Sequence, residues 1–365
     1  MTASRAITTP KNTTKLLFYS LALVVTLVVY YFVFLFLRDG KSSPWITFVV
    51  SLLWGIGGVW LLFVLASSVV DLLSEHWRTR IMPWVFAAPA LFLVFYYLLI
   101  PTLRTLYLSF FNADSSEFVG LENYIYAFTS PNMLESFKNN LVWIVLGGGL
   151  SVALGLLIAA LADRTNPKFE TVIKSSVFLP MAISMIGAAV IWRLVYAYAP
   201  AGAPQIGLLN ALVTSLGGEP QPWLTQRGIN NYLLILILIW MQTGFALVVF
   251  SAAIKGIPSE LLEAARIDGA NEIQSFFRIT VPYIQVTIIS VTTTIVIFTL
   301  KVFDIVFSMT GGNFGTQVIA NEQYVQMFRN FDFGRGAAIA VVLLITVLPV
   351  VYYNVRDFGK SARGF

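Results

Sequence analysis

Residues 228 to 254 read GINNYLLILILIWMQTGFALVVFSAAI, twenty-seven positions without one Asp, Glu, Lys or Arg. A helix rises about 1.5 Å per residue, so about 20 apolar residues cross a hydrocarbon core about 30 Å thick. A soluble helix of this length would carry a charged stripe, and this one has none on any face. The segment is therefore expected to span a bilayer. Seven further stretches share the property, at 16–37, 45–70, 81–103, 139–162, 175–192, 279–300 and 336–355. Pro83, Pro89 and Pro101 fall in the third stretch overall and Pro180 in the fifth. A membrane bundle tolerates them because neighbouring helices satisfy the freed backbone groups. The expected fold class is all-α, a polytopic membrane protein with about eight transmembrane helices.

Composition agrees. Of 365 residues 58% are hydrophobic and 11% charged, and the mean hydropathy is +0.79. So few charges could not clothe a water-facing surface. There is no Cys and one His, His76, which excludes disulfides, thiolate nucleophiles and the common metal-ligand sets, so no metal site is expected. The net charge of +5 does not point to nucleic acid, because the bases lie between apolar runs instead of clustering with aromatics.

Their distribution sets an orientation. With eight spans both termini share one side, which holds Arg5, Lys11, Lys15, Arg78, Arg80, Arg164, Lys168, Lys174, Lys255, Arg266, Arg278, Arg356, Lys360 and Arg363. The other side holds Arg38, Lys41, Lys138, Arg227, Arg329 and Arg335. The positive-inside rule then places both termini in the cytoplasm. The first apolar run ends without a small-residue cleavage site and reads as a retained anchor.

One cytoplasmic loop, between helices six and seven, stands apart: residues 255 to 272 read KGIPSELLEAARIDGANE. Pro258 and Ser259 can start a helix, Glu260 and Glu263 put negative charge in its first turn, and Gly269 can take the left-handed conformation that ends it. Such a short charged helix cannot cross a membrane. Leu261, Leu262, Ala264, Ala265 and Ile267 give it more small and apolar surface than a solvated connector needs, so it is expected to dock on a partner.

Glu-Ala-Ala at 263–265, Asp-Gly-Ala at 268–270, Phe277, Ile279 and Pro282 resemble the EAA signature of importer-type ABC permeases, with Val281 where Leu is usual. Phe303-Asp304-Ile305 followed by Met309-Thr310-Gly311-Gly312 is similar to a pattern of the carbohydrate-uptake, maltose-type permeases. Gln242-Thr243-Gly244-Phe245 resembles the α-glucoside branch of that family. The likeness covers roughly residues 80 to 356. It implies a permease core over 81–365 preceded by a two-helix extension over 1–80, in a bacterial inner membrane. It also implies a coupling helix contacting an ATP-binding subunit through Glu263, Ala264, Ala265, Asp268 and Gly269. The expected partners are a second, different permease subunit, two ATP-binding subunits and an extracytoplasmic solute-binding protein that touches Met309, Thr310, Gly311 and Gly312. The cargo implied is a neutral α-glucoside or similar solute. This chain has no phosphate loop of the Gly-x4-Gly-Lys-Ser/Thr type, so ATP and Mg belong to the partner, and no catalytic residue is expected here.

Neutral hydroxyls are gripped by aromatic faces and by groups that both donate and accept hydrogen bonds. Near mid-span, Gln242 and Phe245 share one helix face, and Phe298 and Thr299 lie on a comparable stripe of the next helix. These four are the candidate solute contacts. Gly147, Ser151, Gly155 and Ala159 recur every four residues, a ridge suited to close helix packing within the chain or against another subunit. Lys301 and Asp304 are spaced to pair on one helix face. Two other readings stay open at this point: an ion-coupled secondary transporter, which would want a titratable group at mid-membrane, and a membrane transferase, which would want paired carboxylates.

Overall fold

The structure, a computed structural model, describes residues 10–361. Arg5 and Arg363, used above to set sidedness, lie outside the described residues. Among the described residues regular structure is helical, with one isolated antiparallel bridge between Phe111 and Phe118. Six helices are long and apolar enough to cross a membrane, or up to eight if each of two bent pairs counts as one span. Two compact units meet in sequence at Leu103 and Arg104.

The first unit holds α1 (Pro10–Asp39), α2 (Pro44–Asp71) and most of α3 (Glu75–Leu108). Ser43 caps α2 by accepting from the Ile46 backbone N–H, and Pro44 fills the first turn, where no N–H is needed. Midway along α2 the helix widens into a π turn at Leu53–Gly58. Tyr30 of α1 donates its hydroxyl to the Trp54 carbonyl at 3.0 Å there, and a Cβ at Gly58 would stand 2.8 Å from that hydroxyl. These helices bury little of themselves: the most apolar windows of α1, α2 and α3 are 6%, 11% and 0% buried. Their surfaces suit lipid.

In the second unit the order is α4 (Glu122–Thr129), α5 (Pro131–Ala162), α6 (Pro167–Ala182), α7 (Met185–Val195), α8 (Leu208–Ser215) and α9 (Asn230–Lys255). Then follow α10 (Ser259–Ile267), α11 (Glu272–Tyr283), α12 (Gln285–Leu300), α13 (Asp304–Met309), α14 (Ile319–Tyr324) and α15 (Phe333–Ser361). The quoted stretch forms α9, which starts at Asn230 and carries the core. Its apolar window is 67% buried, against 28% for α5. Leu234, Ile237, Leu238, Ala246, Leu247 and Phe250 of α9 are fully buried.

The small-residue ridge of α5 lies against α9, which settles its partner as this chain itself. A Cβ at Gly147 would stand 2.8 Å from Leu238 Cδ2; one at Gly155 would overlap the Ala246 Cβ and stand 2.9 Å from the Leu247 nitrogen. Only glycine permits that approach, and Ser151 and Ala159 are likewise shut from solvent.

Two stretches expected as single spans are broken. α6 and α7 meet at 102°, and α11 and α12 at 72°. At the first break α6 tightens into a 3-10 turn at Leu179–Ala182, Pro180 lacks the N–H that would extend the ladder, and Ile183 is extended. Ser184 then restarts the chain as α7 by accepting from the Gly187 N–H at 3.0 Å. Before the second, a π turn at Phe276–Thr280 leads to Pro282. Lys301 and Asp304 form no ion pair within 4.0 Å; Lys301 caps the end of α12, and Asp304 sits in the first turn of α13.

Gly155→Val is expected to destabilise the chain by about 1–3 kcal/mol, because the added atoms have no space in the α5–α9 seam. Gly149→Ala, at a helical position with nothing within 4 Å, should not lower stability and should raise it by up to about 1 kcal/mol. Thermal unfolding of both variants in detergent checks the pair.

Candidate functional site

α10 ends as its sequence demands. Ala270 N–H bonds to the Ala265 carbonyl at 2.9 Å and Gly269 N–H to the Arg266 carbonyl at 3.1 Å. These two hydrogen bonds form a Schellman closure, and Gly269 sits at φ +81° as the closure requires. A Cβ there would meet nothing within 4 Å, so the demand for glycine is conformational. Asn271 follows at once as the cap of α11, with reciprocal bonds between its side chain and backbone and those of Gln274 at 2.8 and 2.9 Å. The chain therefore turns sharply and restarts within three residues.

Of the five residues singled out here, Glu263, Ala264, Asp268 and Gly269 are exposed, while Ala265 is 7% exposed. Ala265 faces inward with half-buried Leu262, seating the rod on its own chain. The outer face adds Leu261 and an Ile267 that is 86% exposed. An isoleucine so bare on a nine-residue helix is the marked apolar feature of this end, and it was not singled out from sequence as an individual contact.

Charged residues brace the roots of this rod. Arg164, just after α5, pairs with Glu272 of α11. Glu170, in the first turn of α6, accepts from Lys174 one turn on and from Lys255, the last residue of α9, whose Nζ lies 2.7 and 2.9 Å from its two oxygens. A cavity of about 510 Å³ lies beside α10, bounded by Leu262, Arg266, Ala270, Glu272, Arg164 and Phe276 among others. Sequence reading used Lys174 for sidedness and missed Glu170, whose one signal was an acid set between Lys168 and Lys174.

Farther along α9, a Cβ at Gly244 would overlap the Val177 carbonyl oxygen and stand 2.7 Å from Phe178 Cα. The end of α6, just before its break, thus rests backbone to backbone on α9, two residues from Gln242. The Gln242 side chain is 7% exposed and has no hydrogen-bond partner among the described residues. Phe245 is half-buried against the α9 core, and Phe298 is 50% exposed on α12. Thr299 is 0% exposed and donates its hydroxyl to the Ile295 carbonyl at 2.8 Å. It packs the interior, with its hydroxyl hydrogen given to its own helix. None of the four lines the cavities of about 510, 290 or 220 Å³.

At the opposite end of α9, Met309 is 5% exposed and belongs to the core, which corrects its placement on a contact surface. Thr310, Gly311 and Gly312 are half-buried, and the two glycines border the cavity of about 290 Å³ together with Glu135, Arg227 and Arg329. Gly311, Gly312, Phe314 and Gly315 all have positive φ. That unusual run is held by asparagines: Asn139 Nδ2 reaches the carbonyls of Gly315 and Gln317 at 2.9 and 2.8 Å, Asn230 that of Phe314 at 3.0 Å, and Asn321 that of Gly311 at 3.1 Å. Asn231 joins them by donating to Asn139 and accepting from Trp143 Nε1. The sequence signal was available, since Asn139-Asn140 and Asn230-Asn231 are amide pairs set in apolar stretches. On the loop after α3, Ser116 donates from its hydroxyl and backbone to Asp114 and holds that carboxyl below its ordinary range.

Comparison with known proteins follows this geometry. A family described as binding-protein-dependent transport system inner membrane component matches residues 151–358. The chain is 57% identical over 279 residues to an osmoprotective compounds uptake permease protein, GgtC, of Synechocystis sp., covering 76% of this chain and 99% of that one. It is 50% identical over 285 residues to an alpha-glucoside transport system permease protein, AglF, of Rhizobium meliloti, covering 78% of this chain and 84% of that one. Among solved structures it is similar in fold to a chain of a bacterial alginate ABC transporter bound to a periplasmic protein, with a TM-score of 0.68 at 21% identity, over 77% of this chain and 95% of that one.

Asn139→Ala would leave the buried Gln317 carbonyl and the half-buried Gly315 carbonyl without this donor, at a cost of about 1–3 kcal/mol. Hydrogen exchange should then rise in that loop ahead of the rest of the second unit. Uniform exchange across the unit would contradict the tether.

Proposed function

The chain belongs to the family of binding-protein-dependent transport system inner membrane components, and on that footing we propose that it moves a neutral α-glucoside or a similar compatible solute inward. It is a multi-span inner-membrane permease subunit of an ABC sugar importer and not an enzyme; ATP hydrolysis belongs to a separate subunit. The exposed rod α10 carries the reading. A charged helix of nine residues, braced at both roots and bare on its outer face, is built to be pushed by something else.

In this reading Glu263, Ala264, Asp268 and Gly269, with Ile267, meet an ATP-binding subunit that holds ATP and Mg, and Ala265 fixes the rod beneath them. Alanine permits close approach, Glu263 can pair with a partner base, and Ile267 gains burial. Closure of two such ATP-binding subunits shifts α10 as a rigid body and turns the access of the membrane core, which this chain forms with a second permease. Both termini face the cytoplasm, and the core begins near residue 81 with α3 as its first span. Residues 1–80 extend it.

A neutral cargo fits the groups near the middle of α9. Gln242 carries an amide that bonds to no other described side chain or backbone group, and a sugar hydroxyl can both donate to it and accept from it. Phe245 and Phe298 offer faces for a ring. The names of the two relatives, one for osmoprotective compounds and one for alpha-glucoside, support this class of solute. On the outer side, a solute-binding protein docks beside Thr310, at the socket that Gly311 and Gly312 border.

Gly269→Val places a β-branched residue at φ +81°, a strain of about 1–3 kcal/mol at the rod's end. The expected outcome is normal membrane insertion with loss of solute uptake and of solute-stimulated ATP hydrolysis in vesicles containing the whole importer. Unchanged uptake would remove the rod from the mechanism. For the cargo, a thermal-shift screen of the companion binding protein should respond to α-glucosides; a response confined to charged solutes would refute the class.

A further inference from the structure

Glu170 is 7% exposed and holds two ammonium groups at once, one from its own helix and one from α9. The Lys255 side chain is half exposed, so the interest of the pairing is its place. It lies in the first turn of α6, where a carboxylate suits the positive end of the helix dipole, and Lys255 lies in the last turn of α9, where an ammonium suits the negative end. Each charge is favoured by its own helix before the two meet. Lys255 is also the last helical residue before α10, which begins at Ser259.

α6 touches α9 a second time, where the Val177 carbonyl and Phe178 cover Gly244. Gly244 and Lys255 are about 16 Å apart along α9 at about 1.5 Å per residue. α6 is thus pinned to α9 at two levels, one at the root of the rod and one beside Gln242, and the second pin lies immediately before the 102° break at residues 179–184. A displacement of the rod must move the end of α9; through Glu170 it must also move α6, whose free end is the break.

We infer that Glu170 is a positioning residue for transport, the strut that ties the coupling helix to the broken span next to the solute contacts. With the strut in place, a push on α10 shifts α6 and α9 together and alters the break. Without it, the root of α6 no longer follows the end of α9, and only the contact at Gly244 still joins the two helices. This rests on the transport reading above, and the test separates the two.

The importer is reconstituted in vesicles with its ATP-binding subunits, companion permease and binding protein, and ATP hydrolysis is measured with and without a loaded binding protein. If the wild-type complex shows no stimulation, the transport reading fails before any variant is considered. Given stimulation, Glu170→Gln should lower the ratio of stimulated to unstimulated hydrolysis about tenfold, a common size for a coupling between sites. The concentration of loaded binding protein giving half-maximal stimulation should not change, a split that general misfolding does not produce. Lys255→Met should reproduce the loss, and the double variant should be no worse than either single, as for two partners in one interaction. A wild-type ratio in either single variant, or additive losses in the double, overturns the strut. Should Glu170→Gln fail to assemble, Lys255→Met, which leaves the carboxylate its Lys174 partner, decides the matter alone.

Discussion

The hydrocarbon core of a bilayer offers no water, so any backbone or side-chain polar group within it must be answered by the protein. The second unit can be understood from that constraint. Its central helix α9 keeps an unbroken ladder and buries most of its length. The interruptions fall on its neighbours, α6–α7 and α11–α12, the first where a capping hydroxyl takes over from the helix and the second after a π turn. The tight loop at 310–318 exists because side-chain amides from α5, α9 and α14 supply the donors its carbonyls require.

Close packing works beside that constraint. Lipid tails are as apolar as leucine, so helices associate by surface fit more than by expulsion of water. α5 meets α9 through Gly147 and Gly155, and α6 meets it through Gly244; at each a single added carbon would collide. The same logic leaves the rod α10 small and loosely clothed, held to the bundle by Leu262 and Ala265 and by ion pairs at its roots. A segment that must transmit force to a bundle needs firm roots and a free face, and this one has both.

Much of this was legible in the chain. Charge-free runs located the six continuous spans and both bent pairs, though not their breaks, and Pro258, Ser259 and Gly269 delimited the rod, because start and stop signals for helices are local in sequence. The site was legible in part. Gln242 lies near the middle of α9, as expected, while Thr299, expected on a comparable stripe of the next membrane helix, turns its hydroxyl to its own backbone. Met309, expected at a surface, is core. Both differences share a cause: helical periodicity assigns residues to a face but does not say what that face meets.

Sequence alone determined that this chain lives in a bilayer as helices and carries a short charged rod between two of them, because hydropathy, charge and turn chemistry act over neighbouring residues. Tertiary structure alone decided that the glycine ridge faces α9 and not another subunit, that α6 breaks where it rests on Gly244, and that Glu170 meets Lys255 across eighty-five positions. Those are contacts between distant segments. The energies that select them depend on shape and dielectric surroundings that exist only once the helices are assembled.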